Sequence, residues 1–386
     1  MRNTIISNQF LNEIIKYRKH LHTFPETAFE EYETSVFIKE KLESYGIEVF
    51  TGKPETAVIG SLKRSEKPFI GFRADMDGLN IAEKNNFSHK SKNQGKMHAC
   101  GHDGHMAMLL GAAKYLAEDK EFNGNIYFIF QPAEENEGGA RNMIENGFLN
   151  RFPMKAIFGM HNWPSLEENK VGIKKGPIMA SCSRFSIILQ GKGTHAAMPY
   201  KGNDLILHAS ELIVSLHSQT SRTNPFDNSV LSVTAIDSPD SWNILPEAVK
   251  LKGTFRCFSG KKHIEIETQI KKACKALAQR CNIKVDFIMH SDGYPITVNS
   301  PKETDFVINT AEPLLGKKNV VKDIEPSMGS EDFSFYLKSI PGCYFFLGSG
   351  KKNTGLHNPY YDFNDNILEI GVNLWITLAK NYFKKR

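Results

Sequence analysis

The chain of 386 residues is long for a single hydrophobic core, so its length favours two domains. An apolar fraction of 40% and a charged fraction of 24% are those of an ordinary globular protein. The net charge of +5 is spread out rather than clustered, which argues against nucleic acid as a partner, and the longest apolar runs are too short to cross a membrane.

The first half of the chain predicts helices that alternate with strands. An amphipathic helix is predicted over residues 9–45 with a break near Pro25, and another helix is predicted just after the histidine-rich stretch near residue 100. Buried strands are predicted at residues 69–73, 125–131 and 156–161. This alternation predicts an α/β domain with a mostly parallel sheet.

The pattern changes near residue 180. From there to residue 295 the elements read strand, helix, strand, strand, helix, strand, which is the order of a ferredoxin-like α+β domain. A helix, a strand and a closing helix follow after Pro301. The sequence therefore predicts one α/β domain, residues 1–179 and 296–386, with a smaller α+β domain inserted at residues 180–295.

The stretch MHACGHDGHM, residues 97–106, has the side chains of a metal site. Cys100 and His102 are two residues apart, and both are ligands for borderline metals such as Zn²⁺. The helix predicted to begin at about Asp103 would favour the thiolate form of Cys100 through its N-terminus. His98 and His105, like Asp103, are expected to support the ligands or cap the helix.

Two adjacent carboxylates, Glu134 and Glu135, follow the second predicted strand in QPAEENEGG. Adjacent side chains diverge, so one carboxylate can bind metal while the other takes a proton from water. Taken alone, the stretch is more typical of a solvated acidic turn.

Further candidates lie where predicted strands end or in loops. Asp75 follows the first strand in RADMD, His161 ends the third, and His357 lies in a loop after the last. Each alone reads as a turn residue or a structural histidine. Because sites in open α/β sheets form at the carboxyl ends of strands, we expect these residues to lie together with Cys100 and the two glutamates.

The motifs RADMD, MHACGHDGH, QPAEE, FGMH, GKGTHAAMP and LHNP together resemble the M20 family of metallopeptidases and amidohydrolases. They look most like the branch of hippurate hydrolases, N-acyl-amino-acid amidohydrolases and auxin-conjugate hydrolases. The resemblance runs over nearly the whole chain. It implies a metal-binding α/β domain with an inserted lid and dimerisation domain.

The resemblance also implies roles for the metal-site residues. Cys100 would bridge two divalent metal ions, and four residues would complete their coordination: His102, Glu135, His161 and His357. The ions would be Zn²⁺ or Mn²⁺, with Co²⁺ or Ni²⁺ as alternatives, because such a ligand set accepts all four.

Other residues match catalytic or substrate-binding positions of the family. Glu134 would be the general base and then the general acid, and Asp75 would orient a ligand. In the lid, His195 would reach the site of the neighbouring protomer and stabilise the oxyanion, although in isolation it reads as a structural histidine. Asn243 and Arg256 would hold a substrate carboxylate, although they read equally as a turn residue and a surface charge.

The sequence therefore predicts a cytoplasmic metal-dependent amidohydrolase, a homodimer through its lid, that cleaves N-acyl or N-aroyl amino acids. Scattered cysteines and an N-terminus unlike a secretory signal favour the cytoplasm. A dipeptidase or a biosynthetic N-acetyl-amino-acid deacetylase would use the same residues. A binding protein without turnover would be expected to lack Glu134.

Overall fold

The computed structural model describes residues 5–135, 137–221, 228–350 and 354–384. The chain divides into two compact units. The larger unit contains Met1–Ile178, Thr297–Glu325 and Asp332–Arg386, and the smaller contains Met179–Ile296 and Pro326–Glu331. The catalytic and lid roles that the sequence assigns to these regions stay predictions.

The larger unit holds most of the helices and strands. Before the smaller unit they are α1 Asn8–Thr23, α2 Tyr32–Ser44, β1 Glu48–Thr51, β2 Val58–Lys63, β3 Ile70–Asp75, α3 His102–Glu118, β4 Asn125–Gln131, α4 Gly139–Glu145, α5 Phe148–Arg151, β5 Ile157–Trp163, β6 Val171–Gly172 and β7 Gly176–Met179.

The smaller unit contains β8 Ser183–Gln190, β9 Thr194–His195, α6 Leu205–Ser221, β10 Ser229–Asp237, β11 Ile244–Leu245, β12 Ala248–Cys257, α7 Gly260–Cys281 and β13 Lys284–Met289. The larger unit then resumes with β14 Thr297–Asn299, α8 Pro301–Leu315, β15 Val320–Val321, α9 Ser334–Leu337, β16 Gly342–Gly348 and α10 Leu368–Lys384.

The larger unit is built on an eight-stranded sheet in the order β1-β2-β4-β3-β5-β16-β6-β15. Its central strands β4, β3, β5 and β16 are parallel, which confirms the predicted mainly parallel sheet. The sequence did not predict β1 and β2, which pair antiparallel at one edge. β1 is partly exposed along its length and carries no apolar run that would mark it.

The core of this sheet explains why its strands read as continuous apolar runs. All seven residues of β4 are buried, as are all six of β3, so neither strand has a polar face. The helix α3 is also buried along almost its whole length. Its glycines permit close packing: a Cβ on Gly104 would overlap the ring of Phe363, and one on Gly111 would press on Val372 and Ile14.

The smaller unit has its own core and an antiparallel sheet in the order β10-β12-β8-β13. With α6 and α7 in the predicted places, this is the ferredoxin-like arrangement that the sequence predicts. The segment between β10 and β12 contains the short strand β11, which pairs with β9.

Within the described part of the chain, none of the helices combines the length and the apolar character needed to span a bilayer.

Candidate metal centre

The predicted site residues of the larger unit lie at the carboxyl ends of neighbouring parallel strands. Asp75 is the last residue of β3, and Glu134 and Glu135 lie just beyond the end of β4. β5 continues beyond His161 to Trp163, two residues further than predicted, because its ladder with β16 extends to that residue. This edge of the sheet is where open α/β folds place their sites.

Cys100, Glu135 and His357 form one tight group. Their donor atoms lie within 4.8 Å of one another, and His357 Nε2 is 3.0 Å from Glu135 Oε1. The thiol of Cys100 also lies 3.4 Å from Nε2 of His161. His357 reaches the group from a loop, where its amide donates to the carbonyl oxygen of Ala99 at 2.8 Å and its φ is 62°. Three of the five predicted ligands therefore lie together, and a fourth, His161, joins them through its contact with Cys100.

Backbone carbonyls orient both His102 and His161. Nδ1 of His102 is 2.9 Å from the carbonyl oxygen of Asp77, and Nδ1 of His161 is 2.7 Å from that of Asn162. A carbonyl oxygen can only accept, so each Nδ1 carries a proton and each neutral ring keeps its lone pair on Nε2. This is the usual support for a histidine that binds metal through Nε2.

Two buried atoms of this group have unmet bonding capacity. Among the described residues, neither Nε2 of His102 nor Oε1 of Glu135 has a hydrogen bond of regular geometry, and the two atoms are 4.0 Å apart. Buried polar atoms are rarely left without a partner. A cation bound between the imidazole and the carboxylate would satisfy both, so the residues fit a metal centre.

Asp77 holds the loop that carries the two glutamates. Its carboxylate accepts the amide of Glu134 at 3.1 Å and that of Glu135 at 2.9 Å. The two side chains then diverge, as expected for adjacent residues: Glu135 contacts His357, and Glu134 Oε1 accepts the amide of Asp332 at 3.4 Å. The two carboxylates thus have different partners, although an oxygen of Glu134 still lies within 4.8 Å of the ligand atoms of His102 and Glu135.

Asp75 lies in a buried network behind this group. Its carboxylate contacts Nδ1 of His105 at 2.6 Å and accepts from Arg73 at 2.7 Å. It lies 3.8 Å from Nε2 of His102, too far for a hydrogen bond. The hydrogen bond that orients His102 therefore comes from the Asp77 carbonyl, and the predicted role of Asp75 in orienting a ligand stays a prediction.

The electrostatics of the group favour bound positive charge. Burial, with the carboxylates of Glu135, Glu134 and Asp75, raises the pKa of the Cys100 thiol well above its ordinary value. Burial alone would lower the pKa of His102, but Asp75 and the other nearby carboxylates raise it to about 10. In the protein alone, burial and three carboxylates thus oppose the thiolate that the N-terminus of α3 is expected to favour. A cation would reverse that balance.

The predicted site residues of the smaller unit lie on and near its short β9–β11 pair. His195 is in β9 and exposed, with Nδ1 accepting the amide of Ala197 at 3.1 Å. Asn243 directly precedes β11, and its carbonyl oxygen accepts the amide of Ala196 at 2.9 Å. Arg256 lies on β12, where its guanidinium donates to the carbonyl oxygen of Met328 at 2.9 Å.

A second group of possible ligands also lies in the smaller unit. The imidazole of His208 is 3.6 Å from the thiol of Cys281 and 3.8 Å from the carboxylate of Glu211. Arg280 already pairs with that carboxylate, and both partners are exposed. The guanidinium supplies the positive charge that a metal would otherwise bring, so this group lacks the unmet bonding seen around His102.

Several supporting residues escaped the sequence reasoning. Nothing in the spacing of Asp77 within RADMD marks the two amides that its carboxylate accepts. Asp332 in MGSEDF is buried and accepts from Arg73 at 2.9 Å. His22 pairs with Asp103 at 2.8 Å across a long stretch of sequence. These contacts join segments far apart in the chain, which local spacing does not reveal.

The chain is similar to proteins of known function. Residues 71–381 match the model of peptidase family M20/M25/M40. A hippurate hydrolase of Campylobacter jejuni is 40% identical over 375 residues, 96% of this chain and 97% of that protein. The IAA-amino acid hydrolase ILR1-like 4 of Arabidopsis thaliana is 39% identical over 384 residues, 97% of this chain and 87% of that protein.

A solved structure shares the fold. The Bacillus subtilis YXEP protein, described as a dinuclear metal-binding peptidase from the M20 family, superposes with a TM-score of 0.86 at 33% identity. The superposition covers 98% of this chain and all of that one.

Proposed function

The chain belongs to peptidase family M20/M25/M40, and from that membership we propose that it is a metal-dependent amidohydrolase of N-acyl and N-aroyl amino acids. The products would be a carboxylate and a free amino acid. The hippurate hydrolase and the IAA-amino acid hydrolase that it resembles are named for such substrates.

The observation that carries the proposal is the group of Cys100, Glu135 and His357, with donor atoms within 4.8 Å of one another, beside the unpartnered Nε2 of His102. A cluster of thiol, carboxylate and imidazole, with Cys100 buried and His357 half exposed, serves no packing purpose, and it matches the donor preference of borderline divalent metals. His161, in contact with the thiol, completes the proposed ligand set.

We propose two divalent ions per subunit, Zn²⁺ or Mn²⁺, with Co²⁺ or Ni²⁺ also able to bind. Bound there, they would polarise the acyl carbonyl and lower the pKa of a water molecule. The protein's own part in the reaction is proton transfer and orientation. Glu134 takes a proton from the attacking water and delivers it to the departing amine. Asp77 holds the backbone that carries Glu134 by accepting its amide at 3.1 Å.

In the smaller unit we propose the roles that the sequence resemblance implies. His195 would stabilise the oxyanion in the site of a neighbouring protomer. Asn243 and Arg256 would hold the substrate carboxylate, for which a planar guanidinium is well suited. In the larger unit Asp75, buried beside the metal ligands, would orient one of them.

A homodimer through the smaller unit is part of the proposal. Large apolar side chains on and beside the β9–β11 strand pair, which contains His195, are exposed, and Trp242 is fully so, at 101%. The others are Met198, Tyr200 and Ile244. Exposed apolar clusters of this kind mark interaction surfaces. All six cysteines are free, which suits the reducing cytoplasm.

A panel of substrates tests the proposal. Amine release is measured from N-acetyl, N-benzoyl and indole-acetyl amino acids and from dipeptides, on chelated protein and after each of the four metals is restored. We expect metal-dependent release from at least one acyl amino acid. Exclusive cleavage of dipeptides would replace this proposal with a dipeptidase, and exclusive cleavage of N-acetyl substrates with a deacetylase.

The general base is tested with Glu134→Gln. We expect kcat to fall about 10²–10⁴-fold with unchanged metal content. Glu137→Gln, which alters an exposed glutamate of the same loop, is the control and should turn over normally. Full turnover by metal-loaded Glu134→Gln would refute the role of Glu134 as the general base.

A further inference from the structure

A buried glutamate from the N-terminal region reaches the loop that carries Glu134 and Glu135. Glu31, 0% exposed, directly precedes α2. Its Oε1 accepts the amide of Ala133 at 2.9 Å. Ala133 is the residue immediately before the two glutamates, so Glu31 acts on the backbone at the point where their direction is set.

The backbone at Ala133 needs such a partner. Its φ is 57°, in the left-handed region that a residue with a Cβ occupies only at a cost of about 1–2 kcal/mol. The carbonyl of Ala133 accepts the amide of Gly139 at 2.8 Å, and its amide is bound by Glu31. Both peptide groups of a strained residue are thus fixed by residues outside the turn.

Glu31 and Asp77 together hold three consecutive amides. Glu31 accepts from Ala133, and Asp77 accepts from Glu134 and Glu135. Three successive amides bound by two carboxylates leave the loop little rotational freedom. The divergent directions of the Glu134 and Glu135 side chains follow from this path of the backbone.

The two carboxylates belong to one connected support. The side chain of Glu26 accepts the amide of Thr34 at 2.8 Å and caps α2. The carbonyl of Glu26 accepts the amide of Gly78 at 2.6 Å, next to Asp77. The segment that presents Glu31 is therefore tied to the segment that presents Asp77.

We propose that Glu31 is a positioning residue that sets the Glu134–Glu135 loop for proton transfer and metal binding. This rests on the proposed function of those two glutamates. Glu31 does not touch the reacting atoms. It acts through the Ala133 amide, and its essential property is a hydrogen-bond acceptor at Oε1.

Two substitutions separate this role from simple packing. Glu31→Gln keeps an acceptor at the same place, whereas Glu31→Met keeps the volume and removes the acceptor. The neighbouring Glu30 gives the matched controls Glu30→Gln and Glu30→Met, because its exposed side chain pairs with Lys96 instead. Steady-state kinetics, metal content and melting temperature are measured for all four variants.

We expect Glu31→Met to lower kcat about 10–100-fold with KM changed less than about threefold, since small displacements of catalytic groups cost this much. Its metal affinity should fall about tenfold, as for other groups that support a ligand. Glu31→Gln should restore both to within about threefold of the wild type, and the Glu30 variants should be unaffected. Wild-type kcat and metal affinity in folded Glu31→Met would overturn the proposal, as would equal impairment of Glu31→Gln.

Turnover and metal affinity together distinguish a failure of the positioning role of Glu31 from a failure of the proposed function. If the wild type turns over no acyl amino acid but Glu31→Met still loses metal, the proposed substrate falls and the positioning role stands. If the wild type is active and Glu31→Met matches it in both readouts, only the positioning role falls. A wild type that neither binds metal nor turns over any substrate would overturn both.

Discussion

Replacing Arg73 with methionine removes one buried cation from beneath the candidate metal centre. Arg73 is 1% exposed, and its guanidinium donates to Asp75 at 2.7 Å, to Asp332 at 2.9 Å and to Gln131 at 2.8 Å. Methionine fills much of the same volume without charge. Both carboxylates then stay buried and lose the hydrogen bonds and the charge of the guanidinium.

The size of the effect follows from what each carboxylate retains. Removing one partner of a buried ion pair costs about 3–5 kcal/mol. Asp75 keeps its contact with His105 at 2.6 Å, and Asp332 keeps the amide of Ala140 at 2.8 Å. Because neither is left without a partner, we expect a total loss of about 3–4 kcal/mol rather than the sum for two pairs.

Urea unfolding followed by tryptophan fluorescence measures this loss in the larger unit. Two of the three tryptophans, Trp163 and Trp375, belong to that unit, and Trp375 is 1% exposed. Arg151→Met alters an exposed arginine of the same unit and should change stability by about 0.5 kcal/mol or less. A loss below about 1 kcal/mol in Arg73→Met would refute the reasoning, because the two carboxylates would then need no guanidinium.

Three further perturbations probe the same region. Gly139→Ala would place a Cβ against the carbonyl oxygen of Pro132, a backbone atom that cannot rotate away, so we expect the free energy of unfolding to fall by at least about 2 kcal/mol. Gly52→Ala, where the added Cβ has no atom within 4 Å, is the control in thermal unfolding. Equal melting temperatures for the two variants would contradict the clash. Burial and the charge of Asp77 raise the pKa of Glu31 from 4.5 to about 8. Between those pH values the folded protein holds a proton that the unfolded chain releases, so stability should fall as the pH rises, by at most about 1.4 kcal/mol per pH unit. Glu31→Gln should lack this pH dependence when urea unfolding is measured at several pH values. If the stability of the wild type and of Glu31→Gln changed equally with pH, Glu31 would not be the group that holds the proton. Zn²⁺ at about a thousand times its Kd should stabilise the wild type by about 4 kcal/mol, and His102→Ala should lose most of that stabilisation. If Zn²⁺ raised the melting temperatures of the wild type and of His102→Ala equally, His102 would not be a ligand.

The elements that sequence reasoning found are those whose burial leaves a simple pattern. β3 and β4 are covered on both faces, so their residues form unbroken apolar runs. β1 and β2 pair antiparallel at an edge, and β1 is exposed enough to look like a loop. The position of β16 between β5 and β6 was also beyond prediction, because strand order in a sheet depends on contacts between distant segments.

The residues of the candidate site likewise divide into those that the sequence reveals and those that it does not. Cys100 and His102 stood out because their chemistry is unusual at that spacing, and the structure brings them close to Glu135 and His357. The groups that hold these side chains in place did not stand out in the sequence, because they act through backbone hydrogen bonds. The Asp77 carbonyl that binds His102 and the Glu31 carboxylate that binds the Ala133 amide leave no mark in composition or periodicity.

The place of β16 in the sheet has a consequence for synthesis on the ribosome. β5 and β6 are made early, but the strand that lies between them is made only after all residues of the smaller unit. Apart from residues 326–331, the smaller unit is one continuous stretch, so it can fold while the larger one still lacks a central strand. During that interval the edges of β5 and β6 are unpaired, and an unpaired edge invites aggregation. We therefore expect the nascent chain to be most dependent on chaperones between the completion of the smaller unit and the arrival of β16.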